Sequence, residues 1–280
     1  MYIWDIKIFF MKQLFLFVAI YFASYNRKVQ QTRIKVCNQI GASQFDIKKL
    51  ILFSLLVILG LHSLGQIPAY VPTNGLVGYW PFNGNANDES GNGNSGTVNG
   101  ASLTTDRYGN SGSAYFFGVN TSQDISIQNL QITGDWTISL WFLPTTSNIN
   151  SQNYLMGVKC QSYWAGIGQS FSNPQCGIPS NSNFIFDGNQ GCSNWLAFSQ
   201  NYSLSAYNYL CVTYSSGIYS ISINGQPSDS SSTLLDLDIN DIVVGSRCND
   251  PSTYNFDGSI DDIGIWNRAL TLSEIQALFN

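Results

Sequence analysis

The sequence predicts an all-β protein: a two-sheet jelly-roll β sandwich with one short C-terminal helix, preceded by an apolar leader. Three observations predict it. About a dozen short apolar segments between residues 76 and 266 are separated by turns rich in Asn, Gly and Ser. The clearest of them alternate apolar and polar residues with a period of two, the repeat of a strand with one face in a core. Helical spacing is confined to the last residues of the chain. Charged residues are only 10% and aromatics are 14%, with 25 glycines, which fits a β-rich extracellular module better than a cytosolic enzyme.

Residues 1–65 read as a leader. Lys48 to Gln66 has a basic start, an apolar run of about a dozen residues and a small-residue exit near Gly65, the plan of a secretory signal peptide. A second apolar run, Gln13 to Tyr25, lies upstream, with basic residues between the two. In one reading, residues 1–46 are a gene-model artefact and residues 47–65 are the signal peptide. In the other, both runs insert as a membrane hairpin with the basic residues in the cytoplasm. Either way, the domain of residues 70–280 is expected outside the cytoplasm, secreted or on the cell surface, touching the membrane only through uncleaved N-terminal segments.

Within the domain, Leu76 to Phe82 begins as a strand and is stopped by Pro81. Asn83 to Gly96 is a loop too rich in Asn and Gly to hold regular structure. Strands are expected at Val98–Leu103, Ser113–Val119 and Asp124–Ile127. In Asp135–Leu143, Trp136, Ile138, Leu140 and Phe142 share one face, with Thr137, Ser139 and Trp141 on the other. Further strands follow at Tyr154–Val158, Trp164–Gly168, Phe184–Asp187, Trp195–Ser199, Tyr209–Tyr214 and Tyr219–Ile223. The last of these runs into Asn224-Gly225, a strong hairpin-turn signal. Ile242–Val244 and a closing strand through Phe256, Ile260, Ile263, Ile265 and Trp266 complete the set. Thr271 and Glu274 have the spacing of a capping box. Leu272, Ile275, Leu278 and Phe279 give the terminal helix one apolar face.

Charge divides the chain. Residues 1–65 hold eight Lys and Arg against two acidic residues, a balance of +6, whereas residues 66–280 hold four against fifteen, a balance of −11. An acidic domain is poorly suited to a phosphate backbone, so nucleic acid is not an expected partner. The only histidine, His62, lies in the leader. The domain therefore lacks the imidazole of Ser-His and Cys-His nucleophile activation and the commonest zinc ligand.

The run Gly75-Leu-Val-Gly-Tyr-Trp-Pro-Phe82, the loop Asp88 to Gly96, Ala114-Tyr-Phe-Phe-Gly118, the Trp136–Trp141 strand, the Tyr219–Gly225 hairpin and above all Phe256 to Ile275 together resemble bacterial secreted laminin-G-like (LamG) jelly-roll domains of the concanavalin A-like lectin/glucanase superfamily. The resemblance covers nearly all of residues 75–279. It implies a β-sandwich module that binds glycans or extracellular proteins, often with a structural calcium ion. The segment Tyr207–Tyr214 departs from it, with Tyr and Asn where the family usually carries a Trp-His-His-like start.

Catalysis is not expected. Glucanases of the superfamily use a Glu-x-Asp-x-Glu strand, because glycoside hydrolysis needs two carboxylates at a set separation. Residues 66–280 contain only Glu89 and Glu274, and no such strand. Asp261 and Asp262 are adjacent, so on a regular strand they point to opposite faces. Calcium is expected as a structural cofactor: Asp88, Ser90, Asn92 and Asn94 place oxygen donors at every second position. By family analogy, Asp261 or Asp262 completes the shell. A solvated Asn/Gly turn is the plain alternative.

Five cysteines fall in the domain. Cys211, between Leu210 and Val212, is expected as a buried free thiol. The other four allow three pairings, of which Cys176–Cys192 with Cys160–Cys248 is preferred. For a glycan, the candidate stacking residues are Tyr163, Trp164, Trp195, Tyr202 and Tyr207, among nearby Asn and Gln side chains. The expected function is a non-catalytic binding module. A glycoside hydrolase or lyase, or a structural accessory domain of a larger adhesin, is the alternative.

Overall fold

The computed structural model describes residues 67–118, 122–145, 153–158, 165–169, 184–188, 195–198, 202–232, 239–246 and 255–280. The leader, Tyr163, Trp164, Cys160, Cys176, Cys192 and Cys248 lie outside the described residues.

Two antiparallel sheets carry the fold. The first contains β1 (Leu76–Trp80), β3 (Ser102–Thr104), β4 (Ala114–Phe117), β6 (Trp136–Pro144), β11 (Asn208–Ser215), β12 (Ile218–Ile223), β13 (Gln226–Ser231) and β15 (Gly258–Trp266). The second contains β2 (Thr97–Asn99), β5 (Asp124–Ile127), β7 (Asn153–Val158), β8 (Ala165–Gln169), β9 (Phe184–Gly188), β10 (Trp195–Phe198) and β14 (Ile242–Val244). Their orders are β13-β12-β11-β6-β15-β4-β3, with β1 also on β15, and β10-β9-β8-β7-β14-β5-β2. One helix, α1 (Leu272–Phe279), follows β15.

Apolar residues from both sheets meet between them. Ile138, Leu140, Phe142, Leu210, Val212 and Ile260 face Ile125, Ile127, Leu155, Met156, Ile242 and Val244 across the sandwich. A second apolar layer lies on the outer side of the first sheet. There Tyr79, Trp141, Tyr209, Cys211 and Trp266 pack with Val71 and with Ile275 and Leu278 of α1. This cover explains why β6 is buried on both faces, not on one as the alternation predicts. Thr137, fully buried on the outer face, donates to the Arg268 carbonyl at 2.7 Å and accepts from Leu270 N at 3.0 Å, fixing the corner into α1. The capping box is present. Leu272, expected on the apolar face, is 44% exposed.

Two further departures have local causes. Val98–Leu103 is not one strand. The chain turns at Gly100, at φ +76°, so that β2 joins the second sheet and β3 the first. β13 has no apolar alternation and was not expected. It forms because Asn224 and Gly225, both at positive φ, return the chain beside β12 as an edge strand carrying Pro227. Cys211 is buried and free.

Candidate functional site

The site arises from an irregularity in β15. Residues Gly258–Ile260 pair with β4, and Ile263–Trp266 pair with β1 on the same edge, while β6 runs along the other edge. The register with β6 shifts between Asp261 and Gly264, and Asp262 sits at φ +44°. This is a β-bulge, one extra residue that resets the alternation. It keeps Ile260, Ile263 and Ile265 in the inner core. It also corrects the expectation for the two aspartates. Their side chains do not diverge to opposite faces, because Nη1 of Arg107 donates to Oδ2 of both, at 3.2 Å to Asp261.

Arg107 arrives on a tight turn after β3. Asp106 Oδ1 accepts from the amides of Tyr108, at 2.9 Å, and Asn110, at 2.8 Å, and its Oδ2 accepts from Asn110 Nδ2 at 2.9 Å. Burial alone pushes the Asp106 carboxyl up, but these hydrogen bonds outweigh it and hold the group below its usual range. The Arg107 guanidinium lies 4.5 Å from the ring centroid of Trp141 below it and 4.4 Å from that of Tyr108. Such stacking over aromatic faces favours the cation. Tyr108 itself remains 69% exposed.

Tyr79 supplies the third partner. Its hydroxyl donates to Asp262 Oδ1 at 3.0 Å, and its backbone amide donates to Asp88 Oδ1 at 3.0 Å. Burial first, and the neighbouring Asp262 charge second, push the Asp261 carboxyl up to about 8, against the pull of Arg107. Asp262 is raised too, chiefly by burial, with Arg107 and Tyr79 opposing. Above this cluster opens a cleft of about 230 Å³, walled by Tyr70, Asn83, Glu89, Tyr108 and Asn110, with Asp261 and Asp262 in its lining. Tyr70 is 43% exposed at its rim.

The expected calcium ligands fall into two hydrogen-bonded groups that meet at Tyr79. Besides Tyr79 N, Asp88 accepts from the amides of Ser90 and Asn94, at 2.9 Å each. Ser90 donates to the Val77 carbonyl, and so do the side-chain amides of Asn92 and Asn94. Asp261 and Asp262 hold Arg107 instead of reaching the loop. In this arrangement the Ser90 hydroxyl and the Asn92 and Asn94 side-chain NH2 groups hydrogen-bond to the Val77 carbonyl, and a guanidinium contacts both aspartates. Among the described residues, no group of three or more His, Cys, Asp or Glu side chains has metal-holding spacing.

Of the expected stacking residues, Tyr202 packs against the inner core and Tyr207 against the outer layer. Tyr202 packs edge-on against Phe142, with ring centroids 5.6 Å apart. Tyr207 is half-buried beneath the Arg107 turn, its hydroxyl on the Thr105 carbonyl at 2.8 Å, and burial raises it to about 12. Trp195 opens β10 in the second sheet. Sequence reasoning missed Tyr70, Arg107 and Tyr108. The signal for the last two was Asp106-Arg-Tyr-Gly-Asn110, an Asx turn that presents an aromatic residue.

A family model of the laminin G type, described as concanavalin A-like lectin/glucanases superfamily, matches residues 117–276, more than half of the chain. No curated protein matches the sequence. Among solved structures, domain 4 of AbnA, a GH43 extracellular arabinanase from Geobacillus stearothermophilus in complex with arabinotriose, is similar with a TM-score of 0.57 at 18% identity, covering 73% of this chain and 98% of that domain. The binding domain of Paraclostridial Mosquitocidal Protein 1 is similar with a TM-score of 0.57 at 19% identity, covering 74% of this chain and 52% of its own. A Trypanosoma rangeli sialidase in complex with the inhibitor DANA is similar with a TM-score of 0.56 at 16% identity, covering 84% of this chain and 39% of its own. The chain thus spans about half of the toxin domain and less of the sialidase, and at these identities the likeness is one of fold. With its two antiparallel sheets and the match over residues 117–276, this chain belongs to the laminin G family of the concanavalin A-like lectin/glucanases superfamily.

Proposed function

We propose that the domain is a non-catalytic binding module, exposed outside the cytoplasm, that takes a carbohydrate in the cleft above Asp261 and Asp262. One observation carries this reading: the Tyr108 ring, 69% exposed, is braced by the Arg107 guanidinium and held by the Asp106 turn at the wall of the cleft. A fixed aromatic face is ready to stack on a sugar ring without further loss of freedom. Asn83, Asn110 and Glu89 supply hydrogen-bonding groups around it. An arabinanase domain of the same fold is known with arabinotriose, which supports a saccharide as ligand here.

Three of the four carboxyl groups in the cleft are already engaged within the domain, which favours binding over hydrolysis. Retaining and inverting glycosidases need two carboxyl groups about 5 to 9.5 Å apart, flanking the scissile bond. Here one nitrogen of Arg107 contacts both Asp261 and Asp262, and the oxygens of Asp106 are taken by its own turn.

A glycan array probed with the full chain, beside an assay for released reducing ends on the bound glycans, tests both halves. Retention of at least one oligosaccharide class without cleavage is expected. An empty array defeats the carbohydrate reading, and reducing-end release defeats the non-catalytic one.

A further inference from the structure

The cleft has a charge pattern that goes beyond a general affinity for sugars. Arg107 is the only Lys or Arg among the described residues of its lining, and it is already in contact with both Asp261 and Asp262. Asp106 is occupied by its turn but keeps its negative charge. Glu89 differs from all of these. It lies half-buried in the lining, and its carboxylate makes no hydrogen bond or ion pair among the described residues; only its backbone amide is used, donating to the Tyr79 carbonyl at 2.8 Å. An unpaired carboxylate in a partly desolvated wall attracts a cation more strongly than one at an open surface, because solvent screens it less. The exposed rings of Tyr70 and Tyr108 at the same cleft add faces that attract cations. The surplus of carboxylates also repels uronic and other acidic sugars.

We propose that the cleft selects sugars bearing a free amine, with Glu89 as the residue that pairs the ammonium group while Tyr108 carries the ring. This rests on the carbohydrate reading of the same cleft and narrows it to a substrate class, glucosamine-containing oligosaccharides. A lysine-rich peptide offers the same ammonium without a pyranose face for Tyr108, so the sugar is the favoured occupant.

Calorimetric titration of the full chain with glucosamine oligomers and with their N-acetylated counterparts tests the proposal. A pH of about 6 keeps the sugar amine protonated. The free-amine oligomer is expected to bind at least about tenfold more tightly, a preference that Glu89→Gln reduces to near parity. Glu89→Gln alters no hydrogen bond seen in the structure, so its folding serves as the control. Equal affinity for both oligomers overturns the amine selectivity and leaves the carbohydrate reading standing. Binding of neither oligomer while neutral glycans bind on the array also overturns the selectivity alone. Binding of a lysine-rich peptide with no glycan bound at all overturns both.

Discussion

The Tyr79 hydroxyl donates to Oδ1 of Asp262 at 3.0 Å, joining residues 183 positions apart. Through its backbone amide the same tyrosine holds Asp88, so the start of the domain, the loop after β1 and the bulge in β15 are connected by one side chain and its own backbone. The link that a metal was expected to make is made by hydrogen bonds.

Removing that hydroxyl is therefore costly in a specific way. Tyr79→Phe keeps the buried ring and leaves Asp262 with Arg107 alone. Loss of a hydrogen bond to a charged acceptor is expected to lower stability by about 1.5 to 3 kcal/mol, read as a lower denaturation midpoint with an unchanged slope. An unchanged midpoint would show that the bond is not made in solution.

Calcium has little to gain from this arrangement. Asp88 already accepts three backbone amides, and Asp261 and Asp262 share a guanidinium. Melting in saturating calcium and in EDTA is expected to give the same midpoint, because a ligand raises stability only by binding the native state. A calcium-dependent rise would mean that the Asp88 loop rearranges around an ion.

Stability also has a direction in pH. Burial holds the Asp261 carboxyl up at about 8 in the folded domain, against an ordinary value of 3.8. Its contribution is complete below about pH 4 and is lost as pH rises through about 8. Glu274 acts oppositely: hydrogen bonds from Arg268 hold it at about 2, so its contribution is present above its ordinary 4.5 and lost as pH falls toward 2. The domain is thus expected to be more stable at about pH 5 than at about pH 9, and Asp261→Asn to flatten that slope. A wild-type slope of the opposite sign would place the Asp261 carboxyl below its ordinary value.

The corner into α1 offers a test of the outer layer. Thr137→Val preserves shape but strands the buried amide of Leu270 and deprives the Arg268 carbonyl of its donor. A loss of about 1 to 3 kcal/mol is expected in chemical denaturation.

Much of the fold was legible because local chemistry decides it. The Asn224-Gly225 hairpin, the Thr271–Glu274 capping box and the inward set Trp136, Ile138, Leu140 and Phe142 each follow from their own residues. The site was not legible, because it depends on one inserted residue. Ile260, Ile263 and Ile265 are spaced by three and then two, and the spacing of three is the trace of the bulge that brings both aspartates to Arg107. Arg107 in turn is placed by its stacking on Trp141, a contact between β6 and the turn after β3 that no local pattern encodes. Tyr202 and Tyr207 have the aromatic character of stacking residues, yet one packs on Phe142 and the other braces Thr105.

Tyr108 is where the structure and the proposed function meet. Its ring is 69% exposed, so truncation should cost the fold little beyond the contact with Arg107. The decisive measurement is the affinity of Tyr108→Ala, beside the wild-type chain, for the oligosaccharide that the array retains. A loss of at least about tenfold, with the melting temperature held, is the expected outcome. Undiminished binding by the folded variant would contradict the placement of the ligand in this cleft.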